Sequence, residues 1–211
     1  MNKRHIVFDV DGTLIDTEYA VLHSLQDTLN ILAGKTAPIQ TLSFVLGITG
    51  EDALEQLGIR EKEAFLARWN EKMEDYSHTV SVFAGIEPVL QALLDKGYGL
   101  GIVTSKTREE FQREFCRFSI HSCFQTVVCA DDTHRHKPDP QPLEQYGIVA
   151  GCSREEMLYI GDSVYDRQCA QAAGVDFALA GWGAQARMDG VWHLQVPADI
   201  LTAVNEWEVR Q

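Results

Sequence analysis

The segment 5–14, HIVFDVDGTL, constrains the fold of this chain more than any other. Its apolar, β-prone start is typical of a buried strand in a parallel sheet. Aspartate is poorly suited to the interior of a strand, so we expect Asp9 and Asp11 where the strand passes into a loop. Ligands bind at that carboxyl edge in open α/β sheets. Two carboxylates so close together repel each other unless a cation or a shared proton relieves them. The pattern therefore predicts a divalent metal, an acid/base function, or both.

The bulk composition narrows the class of protein. The chain has 211 residues and a formal net charge of −13, which argues against a nucleic-acid partner. Its five cysteines are odd in number and lack a C-x-x-C spacing, so reduced thiols are expected rather than a zinc site. The chain runs directly into its first strand, and no apolar run approaches the roughly 18 residues of a membrane helix. We therefore predict a cytoplasmic protein with no signal peptide and no membrane partner.

The hydrophobic periodicity divides the chain into a helical segment and a segment in which helices and strands alternate. Residues 16–83 show helical spacing and no strand signal, as in the stripe from Val21 to Leu32 that ends at Gly34. From Gly85 onwards helices alternate with apolar strands at 98–104, 126–129, 157–162 and 175–180. Such alternation predicts a parallel sheet with right-handed crossovers. We predict an α/β fold with a Rossmann-like three-layer core, residues 1–15 and 84–211, and a helical domain inserted at 16–83.

Polar residues follow several of the predicted strands. They form four sets: Asp9, Asp11 and Thr13; Thr104 and Ser105; Lys137; and Asp162, Ser163 and Asp166. Because parallel strands all point the same way, residues at their carboxyl ends can converge on one site.

Four short segments resemble, in order, the four motifs of the haloacid dehalogenase superfamily. They are DVDGT at 9–13, GIVT at 101–104, KPDP at 137–140 and GDSVYD at 161–166. The helical insertion resembles a C1-type cap, and the whole is most similar to phosphoglycolate phosphatase-like members. The resemblance implies a Mg²⁺-dependent phosphatase, a monomer or homodimer, that hydrolyses a small phosphorylated metabolite through an aspartyl-phosphate.

The resemblance also implies roles for the reacting residues. Asp9 is the expected nucleophile, and Asp11 the acid that protonates the leaving oxygen and then the base that activates water. Thr104 and the backbone N–H of Ser105 are expected to bind the phosphoryl oxygens. Lys137 would offset the charge that develops there, although a basic surface loop is an alternative for the stretch around it.

A magnesium site is implied by the same resemblance. Asp9, the backbone carbonyl of Asp11 and Asp162 would be its protein ligands. Thr13 and Asp166 would lie behind them, with Asp166 holding either metal-bound waters or Lys137.

Substrate choice is expected to depend on the insertion. Its loop at 46–52, LGITGED, is predicted to cover the cleft, with Gly47, Thr49, Gly50 and Glu51 as the specificity residues. Phe65 and Trp69 are interpreted as core of the helical domain rather than as a substrate platform.

Three alternative functions fit the residues less well. A β-phosphoglucomutase-like mutase would carry an arginine where Gly50 stands, and an extra acid next to Asp162, so hydrolysis is favoured. A catalytically inactive phosphate-binding relative would usually have lost one of the motif residues, and here all are present. A receiver domain would lack both the DxDGT form and the long helical insertion.

Overall fold

The computed structural model describes residues 4–34 and 36–210 as a parallel sheet covered by helices. The strands are β1 (His5–Phe8), β2 (Ile15–Asp16), β3 (Ser81–Val82), β4 (Gly99–Val103), β5 (Thr126–Val128), β6 (Met157–Gly161), β7 (Asp176–Ala180) and β8 (Trp192–Leu194). The helices are α1 (Glu18–Thr28), α2 (Gly50–Gln56), α3 (Lys62–Asp75), α4 (Ile86–Asp95), α5 (Arg108–Glu114), α6 (Gln141–Ala150), α7 (Val164–Ala173) and α8 (Asp199–Arg210).

Six strands form the main sheet in the order β5-β4-β1-β6-β7-β8, and every neighbouring pair is parallel. The predicted α/β fold is confirmed. In the centre, β1 pairs with β4 on one side and β6 on the other, with Phe8 opposite both Ile102 and Ile160. The segment that ends in the two aspartates is therefore flanked by the strands that lead to Thr104 and Asp162.

Alternate residues of β1 enter different hydrophobic layers, as the two-residue period of a strand requires. Ile6 and Phe8 belong to the cluster that contains Trp207 of α8, whereas Val7 belongs to the cluster that contains Tyr146 of α6. Burial on both faces explains why this strand is a continuous apolar run.

The described residues of 16–83 contribute no strand to the main sheet and have a hydrophobic cluster of their own. Its buried members include Leu25 on α1, Leu54 on α2 and Phe65 on α3. The division into two domains stays a prediction. Trp69 and Phe65 are both buried in this cluster, in keeping with their interpretation as core residues.

The expectation of no strand within 16–83 was wrong at both ends of the segment. Ile15 pairs antiparallel with Val82, and Asp16 with Ser81, in a two-stranded ladder. The chain enters and leaves the helical segment side by side in opposite directions, so two residues of each connection pair. Such short strands are set by tertiary position and leave no periodic signal.

Several further elements also differ from the prediction. After α1 the stripe continues as a π-helix, Leu29–Ala33, and ends at Gly34 with φ of 60°. The sequence indicates a short helix around 140–146, and the structure extends it as α6 to Ala150. Strand β8 and helix α8 were not predicted. Among the described residues, no helix is both long and apolar enough to cross a membrane.

Candidate active site

The loop after β1 turns tightly and places Asp9 and Asp11 at the carboxyl edge of the sheet. The N–H of Asp9 still donates to the carbonyl of Ile160, at 2.9 Å, so Asp9 is held by the adjacent strand. Gly12 follows with φ of 73°, and a Cβ at this position would lie 2.2 Å from Oδ2 of Asp162. Only glycine combines this backbone conformation with such a close approach. The glycine therefore allows the two acidic loops to meet.

Lys137 lies in the middle of the site and is not a surface residue, since it is only 2% exposed. Its Nζ is 2.9 Å from Oδ1 of Asp9 and 2.6 Å from Oδ1 of Asp166. The hydroxyl of Tyr159 lies 2.8 Å from the same oxygen of Asp166 and 3.3 Å from Nζ of Lys137. The ammonium is thus fixed between two carboxylates, one of which is the predicted nucleophile.

The electrostatics of these groups follow from burial and charge. Burial raises the pKa of Asp9 to about 7, the charges of Asp166 and Asp11 add to the rise, and Lys137 opposes it. Burial disfavours the ammonium form of Lys137, but the carboxylates of Asp166 and Asp9 outweigh it and raise its pKa above the ordinary value. Lys137 is therefore a permanent cation at neutral pH.

Asp162 lies beside Asp9 and accepts a hydrogen bond of 3.0 Å from Oγ1 of Thr13. Carboxylate oxygens of Asp9, Asp162 and Asp166 lie within 4.8 Å of one another. Burial, followed by the charges of Asp166 and Asp9, raises the pKa of Asp162 well above its ordinary value. Three carboxylates face one ammonium here, and such an excess of oxygen donors and negative charge suits a hard divalent cation.

Asp166 has both carboxylate oxygens engaged by the protein. Oδ1 contacts Lys137, while Oδ2 accepts from the backbone N–H of Ser163 at 3.0 Å and from its hydroxyl at 2.5 Å. Ser163 in turn caps α7, accepting from the N–H of Asp166. Of the two roles left open by the sequence, these contacts favour holding Lys137.

Asp11 faces a second buried lysine that the sequence interpretation missed. Nζ of Lys106, which is 8% exposed, lies 3.0 Å from Oδ1 of Asp11 and 2.5 Å from Oε2 of Glu114. The other oxygen of Glu114 accepts from Arg113 at 2.7 Å. The available signal was the position of Lys106, directly after Thr104 and Ser105 at the end of a buried strand.

The charge states of this second cluster are also fixed by their neighbours. Burial opposes the charge on Lys106, but Asp11 and Glu114 outweigh it and raise its pKa above the ordinary value. Burial would raise the pKa of Glu114, yet Lys106 and Arg113 together lower it. At neutral pH Lys106 and Glu114 therefore form an ion pair.

Thr104 and Ser105 lie at the end of β4, as predicted. Thr104 is buried, donates its N–H to the carbonyl of Val128 at 3.0 Å, and accepts at Oγ1 from the N–H of Lys106. Ser105 lines the cavity described below, and its hydroxyl donates to the carbonyl of Gly47 at 2.9 Å. Thr104 therefore shapes the loop, whereas Ser105 faces the open space.

A cavity of about 90 Å³ lies between the sheet edge and the helical segment. Asp9, Asp11, Ser105 and Lys106 line its lower wall. Such a volume holds a small molecule and a few waters at most.

The four predicted specificity residues divide into two groups. Gly47 and Gly50 line the cavity. Thr49 instead caps α2, accepting from the N–H of Asp52, and Glu51 is exposed. Of these four residues, Gly47 and Gly50 are thus the two that can touch a molecule in the cavity.

These structural features agree with a comparison of the sequence with known families. Residues 6–180 match the haloacid dehalogenase-like hydrolase family. The chain belongs to this family. The matched range includes the whole helical segment and the loops that contain Asp9, Lys137 and Asp162.

Individual relatives share much of the length of the chain. Pyrophosphatase PpaX of Anoxybacillus flavithermus is 31% identical over 199 residues, covering 89% of this chain and 87% of its own. A Lactobacillus plantarum protein, provisionally assigned as a phosphoglycolate phosphatase, is 32% identical with a TM-score of 0.85, covering 96% and 99% of the two chains. A Thermotoga maritima protein, provisionally assigned as a β-phosphoglucomutase, has a TM-score of 0.73 at 22% identity over 96% and 99% of the two chains, which shows a shared fold alone.

Proposed function

We propose that this hydrolase is a Mg²⁺-dependent phosphatase that cleaves a small phosphomonoester through an aspartyl-phosphate on Asp9. The observation that carries the proposal is the buried carboxylate of Asp9, 2.9 Å from the ammonium of Lys137, with Asp11 lining the same cavity. A nucleophile, a compensating cation and a second acid are the parts that such a reaction needs. The names of the relatives, a pyrophosphatase and a phosphoglycolate phosphatase, support phosphoryl transfer.

In the first step, an oxygen of Asp9 bonds to phosphorus while the bond from phosphorus to the ester oxygen breaks. Asp11 gives its proton to that leaving oxygen, and an alcohol departs. In the second step, Asp11 takes a proton from water as the water oxygen bonds to phosphorus and the bond to Asp9 breaks. Inorganic phosphate and the original carboxylate of Asp9 result. Lys137 offsets the negative charge between the carboxylate and the phosphoryl group throughout.

The donor set at the sheet edge fits the metal that this proposal requires. Asp9, the backbone carbonyl of Asp11 and Asp162 would hold Mg²⁺, leaving positions for water. The raised pKa of Asp162, caused by burial and by neighbouring carboxylates, marks negative charge that the protein alone leaves uncompensated. When bound, the metal would neutralise phosphoryl oxygens and orient the ester for in-line attack.

We further propose that residues 16–83 act as a cap domain over a core formed by 1–15 and 84–211. The segment supplies the upper wall of the cavity, including Gly47 and Gly50. Closing such a wall excludes water, which strengthens the charge interactions around the phosphoryl group. Substrate choice would then depend on this wall, since the lower wall is committed to the reaction itself.

The proposal is tested by measuring phosphate release from p-nitrophenyl phosphate and a panel of phosphorylated metabolites, with Mg²⁺ and with EDTA. We expect turnover only with the metal, and acid-quenched wild-type protein should contain one acid-stable, base-labile phosphoryl group on Asp9. Asp9→Asn should abolish both signals, while Glu206→Gln, an exposed charge removal on α8, should preserve them. Turnover by Asp9→Asn at close to the wild-type rate would refute the aspartyl-phosphate mechanism.

A further inference from the structure

The upper wall of the substrate cavity is strongly apolar. Helix α1, the loop before α2 and helix α3 present to it Val21, Val45, Ile48, Leu66, Trp69 and Met73. The indole N–H of Trp69 is used within the helical segment, where it donates to the hydroxyl of Ser24 at 2.9 Å. Asn70 is the polar side chain on this wall, and its Oδ1 accepts from Arg113 at 3.0 Å.

The cationic groups around the cavity are already matched by acids. Lys106 is the only lysine or arginine that lines it in the part of the chain that the structure describes, and it lies between Asp11 and Glu114. Arg113, behind this wall, contacts Glu114 and Glu74. The other cations of α3 are bound in ion pairs at the helix surface: Lys62, Arg68 and Lys72.

Acidic side chains of α5 also line the cavity. Glu110 and Glu114 of α5 both line it. A second anionic group on a substrate would lose its water against apolar side chains and would meet these carboxylates. Burial of a charge without a partner is costly, and nearby like charge adds to the cost.

We infer that the leaving group of the substrate is an uncharged, predominantly apolar alcohol. This rests on the proposed phosphatase function and names its substrate class. Pyrophosphate and phosphoglycolate, which appear in the names of the relatives, both carry a second anionic group. The chain is therefore expected to differ from these relatives in its best substrate while sharing the same reacting residues.

The experiment uses esters of matched shape. The three substrates are isobutyl phosphate, the phosphate ester of glycolamide and 2-phosphoglycolate. They differ at one branched carbon, where the group is apolar in the first, neutral and polar in the second, and anionic in the third. With the full chain and Mg²⁺, we expect kcat/KM to fall in that order, by about tenfold or more between the first and the last. Isobutanol is the poorest leaving group of the three, so this order cannot arise from intrinsic reactivity.

A cation added to the upper wall should change the order. Leu66→Lys places an ammonium on the apolar wall, and the advantage of isobutyl phosphate over 2-phosphoglycolate should shrink at least tenfold. Leu66→Met, of similar volume, should keep the wild-type order. Ile148→Lys adds the same charge at an exposed position on α6, where the native side chain is 75% exposed, and should also keep the order.

Each other outcome has a definite meaning. If 2-phosphoglycolate or pyrophosphate matches or exceeds isobutyl phosphate, the inference is wrong while the phosphatase function stands. A preference for phosphoethanolamine would also overturn it, because the carboxylates of α5 that line the cavity would then bind an ammonium. If no ester, including p-nitrophenyl phosphate, is hydrolysed with Mg²⁺, both the inference and the proposed function fail.

Discussion

Replacing the candidate nucleophile should stabilise the metal-free protein while abolishing turnover. In the folded chain, burial and the nearby carboxylates of Asp166 and Asp11 raise the pKa of Asp9 to about 7. Ionised Asp9 therefore destabilises the fold, because folding favours its protonated form. Asp9→Asn keeps the shape of the side chain and removes the charge. A gain in stability with a loss of activity is the trade-off expected of a functional site.

The size of the effect follows from the pKa values. The interval from the ordinary pKa of 3.8 to about 7 corresponds to about 4 kcal/mol at neutral pH and above. This is an upper limit, since asparagine gives Lys137 a weaker partner than a carboxylate does, and we expect about 2 kcal/mol. For a chain of this length that is a rise in Tm of about 4–8 °C. The gain should be full above the raised pKa and disappear below the ordinary one.

The assay is thermal unfolding in EDTA at about pH 8 and about pH 5, where the Tm advantage of Asp9→Asn should be large and then small. Glu206→Gln is the control for loss of one exposed carboxylate and should leave Tm nearly unchanged at both pH values. Added Mg²⁺ should raise the Tm of the wild type more than that of Asp9→Asn, because the cation neutralises the same charge. If Asp9→Asn unfolds at a lower temperature than the wild type at about pH 8 in EDTA, the electrostatic account of this site is wrong.

Three further changes test other parts of the site. Asp11→Asn leaves the nucleophile but removes the acid/base, which typically contributes about 10²–10⁴-fold in rate. The loss of rate on p-nitrophenyl phosphate, which has a good leaving group, should be smaller than the loss on an alkyl ester, and equal losses would contradict the proposed role of Asp11. Glu114→Gln weakens the pair with Lys106 and should lower the free energy of unfolding by about 1–3 kcal/mol at neutral pH. Because the folded pKa of Glu114 lies below its ordinary value of 4.5, the difference from the wild type in denaturation experiments should vanish as the pH falls through the lowered pKa. Gly183→Ala would place a Cβ 1.8 Å from the carbonyl oxygen of Gly12, so the loop that positions Asp11 must move. We expect kcat/KM to fall more than tenfold while the circular dichroism spectrum shows that the overall fold is kept.

The parts of this molecule that could be predicted from sequence are those with a local signal. Continuous apolar runs predicted β1, β4, β5, β6 and β7, because strands buried on both faces need such runs. Asp9, Asp11 and Asp162 could be placed at one edge of the sheet, since parallel strands end on the same side. Their roles in the reaction remain predictions.

The parts that could not be predicted depend on contacts between distant segments. Tyr159 reads as one more apolar residue of β6, and only the packed sheet brings its hydroxyl to Asp166. The pairing of Lys106 with both Asp11 and Glu114 needs the relative position of β1, β4 and α5, which no local pattern encodes. Helix α8 did have a signal, because Ile200, Val204 and Trp207 are buried at helical spacing.

The helical segment is attached to the site through the same loops that carry its chemistry. The stretch 44–52 is contacted by two of these loops and by the start of α7. The Ser105 hydroxyl donates to the carbonyl of Gly47, the Tyr165 hydroxyl donates to the carbonyl of Phe44, and His136 lies 3.5 Å from Asp52.

Each of these contacts is weak when taken singly. A hydrogen bond of this kind contributes about 1 kcal/mol, and a partly exposed ion pair contributes less. With the contacts of Arg113 to Asn70 and Glu74 on α3, they contribute on the order of several kcal/mol, and we expect the segment to open and admit substrate on the timescale of turnover. All three contacts of 44–52 come from residues next to motif residues, so we expect movement of the wall to be coupled to the loops that carry the reacting groups. If the proposed function holds, a leaving group that packs against the apolar wall would also stabilise the closed arrangement in which Asp9 and Asp11 face the ester.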